Sequence, residues 1–179
     1  MQRRIVLLMA IMLVFGAIAP AQMSKDKSQR PSPPAQAQCK FSDGKTISVD
    51  YSSPRTKGRK IFGDLVPYGE VWRTGANEAT TFVTTADLKA GNVQVPAGNY
   101  TIFTVPNQDK WTLIINKKTG EWGIPYKYES DELGRVDMKI SQTSPVENFT
   151  IAFDQKGSTC SMSISWERTK ATTDFLEGK

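Results

Sequence analysis

An alternation of period two returns in segment after segment of this chain, and it constrains the fold more than any other feature because it sets apolar side chains on one face of an extended backbone. Ile47, Val49 and Tyr51 alternate with polar neighbours, as do Cys160, Met162, Ile164 and Trp166, and Trp111, Leu113 and Ile115 keep the same spacing. The same period runs through Phe82 with its flanking threonines, residues 100–105, Val136 with Met138 and Ile140, and Phe149 with Ile151 and Phe153. Turn formers separate these runs: SDG at 42–44, AGN at 90–92, PAGN at 96–99, PNQD at 106–109 and QKGS at 155–158. No window of helical length carries a 3.6-residue apolar stripe. Eight or nine short strands follow, and they bury their apolar faces either as two antiparallel sheets packed face to face or as a partly closed barrel. We expect an all-β fold, an antiparallel β-sandwich of jelly-roll or immunoglobulin-like kind, in a single domain.

The N-terminal residues read as an export signal. Arg3 and Arg4 precede an apolar run from Ile5 to Ile18, and Ala19-Pro20-Ala21 follows in the order of a cleavable leader spanning residues 1–21. An apolar core of roughly 14 residues is short of the ~20 that a spanning helix needs, so the expectation is a secreted or periplasmic product with no membrane attachment after cleavage. Residues 22–38, QMSKDKSQRPSPPAQAQ, lack aromatic and β-branched side chains, and we expect a disordered linker there. The folded unit is then expected over residues 39–176. Two cysteines are present, Cys39 at its start and Cys160 in its last strand, and an even count in an oxidising compartment favours a disulfide between them.

Charge and composition exclude several partners and chemistries. Without Arg3 and Arg4 the 23 basic residues become 21, against 18 acidic ones. That mild excess is interleaved with Asp and Glu almost everywhere, which argues against a nucleic-acid partner. The local exception is Arg55, Lys57, Arg59 and Lys60, a potential cationic rim. The chain contains no His, which removes Ser-His-Asp and Cys-His nucleophile activation, imidazole zinc sites and His general bases. Carboxylates remain, and Glu70, Glu78 and Glu121 are the candidates for an acid and base pair of the glycosidase type. Asp131 and Glu132 suggest a calcium site only weakly, since no loop spaces its oxygens as an EF-hand does. The expectation is no metal and no cofactor, and an enzyme is the less favoured class.

The richest segment lies between residues 51 and 82. Its centre, GEVWRTGANE at 69–78, combines turn-forming Gly69 and Gly75 with a Trp, an Arg, an Asn and two Glu. Arg73, Asn77 and Glu78 together offer a planar donor fork, an amide and a carboxylate, with Glu70 and Arg59 nearby in sequence, and such a set can hold a small polar ligand or a glycan. The competing reading is structural: Arg73 pairs with Glu78 or Glu70, Asn77 bonds turn backbone and Trp72 fills the core. Trp122, Tyr126 and Tyr128 pose the same choice between a stacking surface and simple packing over the open end of the sandwich. With KGR at 57–59, PAGNYTIF at 96–103 and KWTLIIN at 110–116, the 69–78 run resembles the exported bacterial family known as domain-of-unknown-function family 2911. The resemblance implies a secreted or periplasmic β-sandwich, and it brings no catalytic residues to transfer. On these grounds we expect a non-catalytic binding module for a small polar ligand, glycan or envelope partner, ahead of a carboxylate-based hydrolase of a cell-envelope glycan and of a purely structural interaction domain.

Overall fold

The computed structural model describes residues 26–178, so the leader expected at 1–21 lies outside the described residues. Nine strands follow in chain order: β1 (Pro34–Lys40), β2 (Thr46–Ser52), β3 (Thr80–Thr84), β4 (Leu88–Ala90), β5 (Val93–Val95), β6 (Gly98–Val105), β7 (Lys110–Asn116), β8 (Glu132–Lys156) and β9 (Thr159–Glu177). They form one antiparallel sheet in the order β1-β2-β3-β6-β7-β8-β9-β4-β5, which does not close into a barrel.

A single sheet replaces the two separate sheets that short strands suggested, because β8 and β9 are long enough to serve both layers. Their ladder shifts register between Gln142 and Val146 and again between Val146 and Thr150, and irregularities of this kind bend a strand and strengthen its twist. The sheet therefore folds over its own core. Side chains meet across it from strands that share no ladder: Tyr51 on β2 lies edge-on to Phe149 on β8 with ring centroids 5.5 Å apart, and Phe82 on β3 lies 5.0 Å from Phe175 on β9. Past Ser52 the chain crosses to β8, where Phe149 N donates to Pro54 O at 2.8 Å and Thr56 N to Glu147 O at 2.9 Å. Cys39 on β1 and Cys160 on β9 form the expected disulfide, with Cα atoms 6.2 Å apart.

The alternation becomes burial directly. Ile47, Val49, Phe82, Met162 and Ile164 are all removed from water, while their neighbours along each strand are more exposed; in β7 Leu113, Ile114 and Ile115 are all buried, Ile114 packing in a second cluster on the other face. Phe62, Trp72, Trp111, Phe149 and Trp166 meet edge to face or stacked at centroid distances between 4.7 and 6.4 Å, an aromatic cluster that links several strands. Strand β6 departs from the pattern, since Tyr100, Thr101, Ile102, Phe103 and Thr104 are all buried. Its second face is covered by the loop after β7, whose Tyr126 and Tyr128 pack on Phe103 at 4.8 and 6.1 Å.

Part of the stretch expected as a disordered linker over residues 22–38 is strand, and its residues 22–25 lie outside the described residues. Residues 34–38 belong to β1, paired with β2 from Pro34 opposite Ser52 to Lys40 opposite Thr46. The segment PAQAQ has little strand propensity of its own, but a neighbouring edge supplies its backbone partners and Ala35 and Ala37 pack on the core. Strand formation is decided there by context, as is common in sheets. Ahead of β1, residues 26–33 form an arm that opens with a 3-10 turn at Lys27–Gln29, capped by the Asp26 carboxylate, which accepts from Ser28 N at 3.0 Å and from the Ser28 hydroxyl at 2.8 Å.

Candidate functional site

Trp72 is held opposite β6 by a reciprocal pair of backbone bonds, Trp72 N to Thr104 O at 2.7 Å and Thr104 N to Trp72 O at 2.9 Å. The chain then turns sharply, with positive φ at Thr74 (56°), Gly75 (155°) and Asn77 (60°). A β-branched residue in that region is a true outlier, with a cost of roughly 1–3 kcal/mol that neighbouring contacts must offset. They do so here. Thr80 Oγ1 donates to Thr74 O at 2.7 Å, the Trp72 indole donates to Gly75 O at 3.0 Å, and the Thr74 and Thr104 hydroxyls lie 3.1 Å apart. Gly75 is required by space as well, because a Cβ would stand 3.0 Å from Ser52 O.

This turn forms one wall of a cavity of about 380 Å³. Four of the five expected residues line it, Arg59, Glu70, Arg73 and Asn77, over a floor of Trp72 and Trp166, whose rings stack 5.9 Å apart with planes inclined by 15°. Leu65 and Ile124 complete the mouth.

Glu78 does not join them. It lines a separate hollow of about 280 Å³ with Glu121, Asp50 and Lys27. There the arm captures it: Arg30 Nη1 lies 2.7 Å from Glu78 Oε2 and Lys27 Nζ lies 3.4 Å from Oε1. The Arg30 hydrogen bond holds its carboxyl down to about 2. The pairing of Arg73 with Glu78 or Glu70 is accordingly not formed, and among the described residues Arg73 has no carboxylate partner. Its Nη1 donates to Asn77 O and to Trp122 O, and its guanidinium carbon lies 5.3 Å from the centre of the Trp122 ring. Burial without a counter-charge draws its pKa below the usual guanidinium value. Asn77 bonds the arm rather than its own turn, donating from Nδ2 to Ser32 O at 3.1 Å.

The match to a family of proteins of unknown function, DUF2911, covers residues 32–175, from the arm residue beside Asn77 to the last core Phe. The chain belongs to the DUF2911 family. Neither a curated protein nor a solved structure matches it significantly.

In this DUF2911 domain the basic run is not a uniform rim. Only Arg59 of the four lines the cavity; its Nε and Nη2 donate to Thr56 O at 3.0 Å and Arg55 O at 2.7 Å, which fixes the side chain. Arg55 instead donates to Ser53 O and Oγ. Glu147 sits against the same loop, accepting from the Thr56 hydroxyl and from Lys57 N, bonds that lower its pKa.

The remaining candidates fall elsewhere. Tyr126 and Tyr128 pack on the outer face of β6 and β7 rather than over an open end, while Trp122 is exposed. Glu132 is occupied by Arg135, through Nε and Nη2 at 2.8 Å each, and by the Tyr126 hydroxyl at 2.7 Å, which disfavours the calcium reading of Asp131 and Glu132. A larger hollow, about 610 Å³, lies between β4 and the β8–β9 hairpin, where Lys89, Arg135 and Lys139 alternate with Asp137 and Asp174 and no aromatic side chain contributes. Sequence reasoning passed over Ser32, Leu65, Ile124 and Trp166 as cavity residues. Of these only Trp166 carried a signal, as an aromatic on an alternating strand, and its partnership with Trp72 depends on the sheet folding over.

Proposed function

We propose that this DUF2911 protein is a non-catalytic binding module for a small polar ligand, working outside the cytoplasm. One observation carries the reading: a guanidinium, that of Arg73, lies in a cavity of ligand size and forms no ion pair among the described residues, Glu70 of the same lining included. A half-buried cation left without a counter-charge is an arrangement that a bound anion or polar group completes. The cavity volume falls in the range of small-molecule sites, and its aromatic floor with a few polar groups is their usual composition. Export is supported by the leader pattern at 1–21 and by the disulfide, a bond that persists in oxidising compartments. The carboxylate-hydrolase alternative draws no support from Glu78, whose carboxyl is held down to about 2 where a general acid needs it raised.

The test is a nuclear magnetic resonance titration of the purified protein with a panel of monosaccharides, disaccharides, phosphate and small carboxylates. At least one probe should move the Trp72 and Trp166 indole signals, and Arg73→Gln should abolish that movement while leaving the spectrum folded. A panel that leaves both indoles unmoved at millimolar concentration would falsify the reading.

A further inference from the structure

We infer that the ligand of this cavity is an apolar monocarboxylate: a short aliphatic or aromatic group ending in one carboxylate, either as a free acid or as the C-terminus of a peptide. This rests on the binding-module reading and names its ligand class. The apolar half follows from where greasy side chains reach water. Among the described residues five large hydrophobics are exposed, and three gather here: Leu65 (45 % exposed) and Ile124 (40 %) at the mouth, and Trp122 (55 %) over Arg73. Apolar side chains concentrated around one concavity mark a contact surface. Trp72 and Trp166, buried and stacked on each other, add aromatic lining to the same cavity.

The charged half follows from the lining. Arg59 and Arg73 stand against the single carboxylate of Glu70, so the cavity carries one net positive charge. Each guanidinium is pinned by backbone carbonyls, Arg73 by Asn77 O and Trp122 O and Arg59 by Thr56 O and Arg55 O. Carbonyls orient an arginine without neutralising it, and each fork keeps donors to spare. A carboxylate is the planar, singly charged group such a fork grips in bidentate fashion. A polyanion is disfavoured by Glu70, and a neutral sugar leaves the charge unanswered and finds few polar groups at the mouth.

The experiment uses four probes on the purified protein: hexanoate, hexanol, and a tetrapeptide ending in leucine as its free acid and as its amide. The expected result is that hexanoate or the free-acid peptide moves the Trp72 and Trp166 indole signals, and that hexanol and the peptide amide bind at least 10-fold more weakly. Binding of hexanoate alone identifies a free acid as the source, and stronger binding of the peptide acid identifies a chain terminus. Arg73→Gln should weaken the binding roughly 10- to 100-fold, the range of a lost charge-assisted hydrogen bond. Leu65→Asp is a second variant at an exposed position, and it should weaken hexanoate at least 10-fold with an unchanged melting temperature. Equal binding of hexanoate and hexanol, or no effect from either substitution, overturns the carboxylate class. If none of the four probes binds but a disaccharide moves the indoles, this inference fails while the binding-module reading stands; if nothing in either panel moves them, both fail.

Discussion

Gly123 is the residue on which the position of the Trp122 loop depends. A Cβ there would lie 2.8 Å from Ala79 Cβ, 3.1 Å from Phe103 Cε1 and 3.3 Å from Arg73 Cβ, and its φ of +93° is one that side chains rarely adopt. We expect Gly123→Ala to lower stability by roughly 1–3 kcal/mol in chemical denaturation, through overpacking and strain together. Trp122 should then move off Arg73, seen as a shift in its fluorescence. Arg73 itself gives the opposite lesson. Were it half of a buried ion pair, its removal would strand a charge and cost about 3–5 kcal/mol. Since its polar partners are the carbonyls of Asn77 and Trp122, with the Trp122 ring beside it and no carboxylate to strand, Arg73→Ala should cost about 1–2 kcal/mol by the same measurement.

Among the elements, the arm and the β8–β9 hairpin depart most from a local reading. Strand Glu132–Lys156 of the hairpin runs through residues 141–148, SQTSPVEN, a polar stretch without the alternating apolar pattern of the other strands. The layer change demands a bend there, and a polar stretch with Pro145 tolerates it. The arm's capture depends on Glu78, far away in sequence, and Lys27 and Arg30 carry no sign of that partner. The ion pair predicts a definite pH response. Glu78 has a folded pKa of about 2 against an ordinary 4.5, so the stability it adds is complete above 4.5 and is lost as pH falls through 2. With both side chains partly in water, that contribution should not exceed about 1 kcal/mol. In urea titrations from neutral pH downward, the difference between wild type and Glu78→Gln should hold near its full value to about pH 5 and vanish at the acid end.

For the molecule as a whole, the strands with alternating Val, Ile, Phe and Trp were legible because one buried face leaves a period of two in the letters. Cys39 and Cys160 were legible for a different reason, their even number together with the export expected from the leader pattern. The candidate site was half legible. Arg59, Glu70, Arg73 and Asn77 meet at one cavity, but they meet because positive φ at Thr74 and Asn77 reverses the chain, and no local pattern announces a threonine in that conformation. The same turn sends Glu78 to the opposite side. The disulfide spans 121 residues, and replacing both cysteines by serine should lower stability by up to about 4–5 kcal/mol on the chain-entropy account, measured by thermal melting.

Stretched by its two ends, such a molecule does not bear tension evenly. Cys39 and Cys160 stand near the end of β1 and the start of β9, so the covalent bridge carries the pull past almost every strand between them. Among the described residues only the arm with β1 as far as Cys39, and β9 beyond Cys160, lie in series with the load and peel away; the cavity's Trp72 and Arg73 lie inside the shielded loop, though Trp166 does not. In a single-molecule pulling trace the oxidised protein should lengthen by a short step, and the long step of the remaining strands should emerge only after the bridge is reduced.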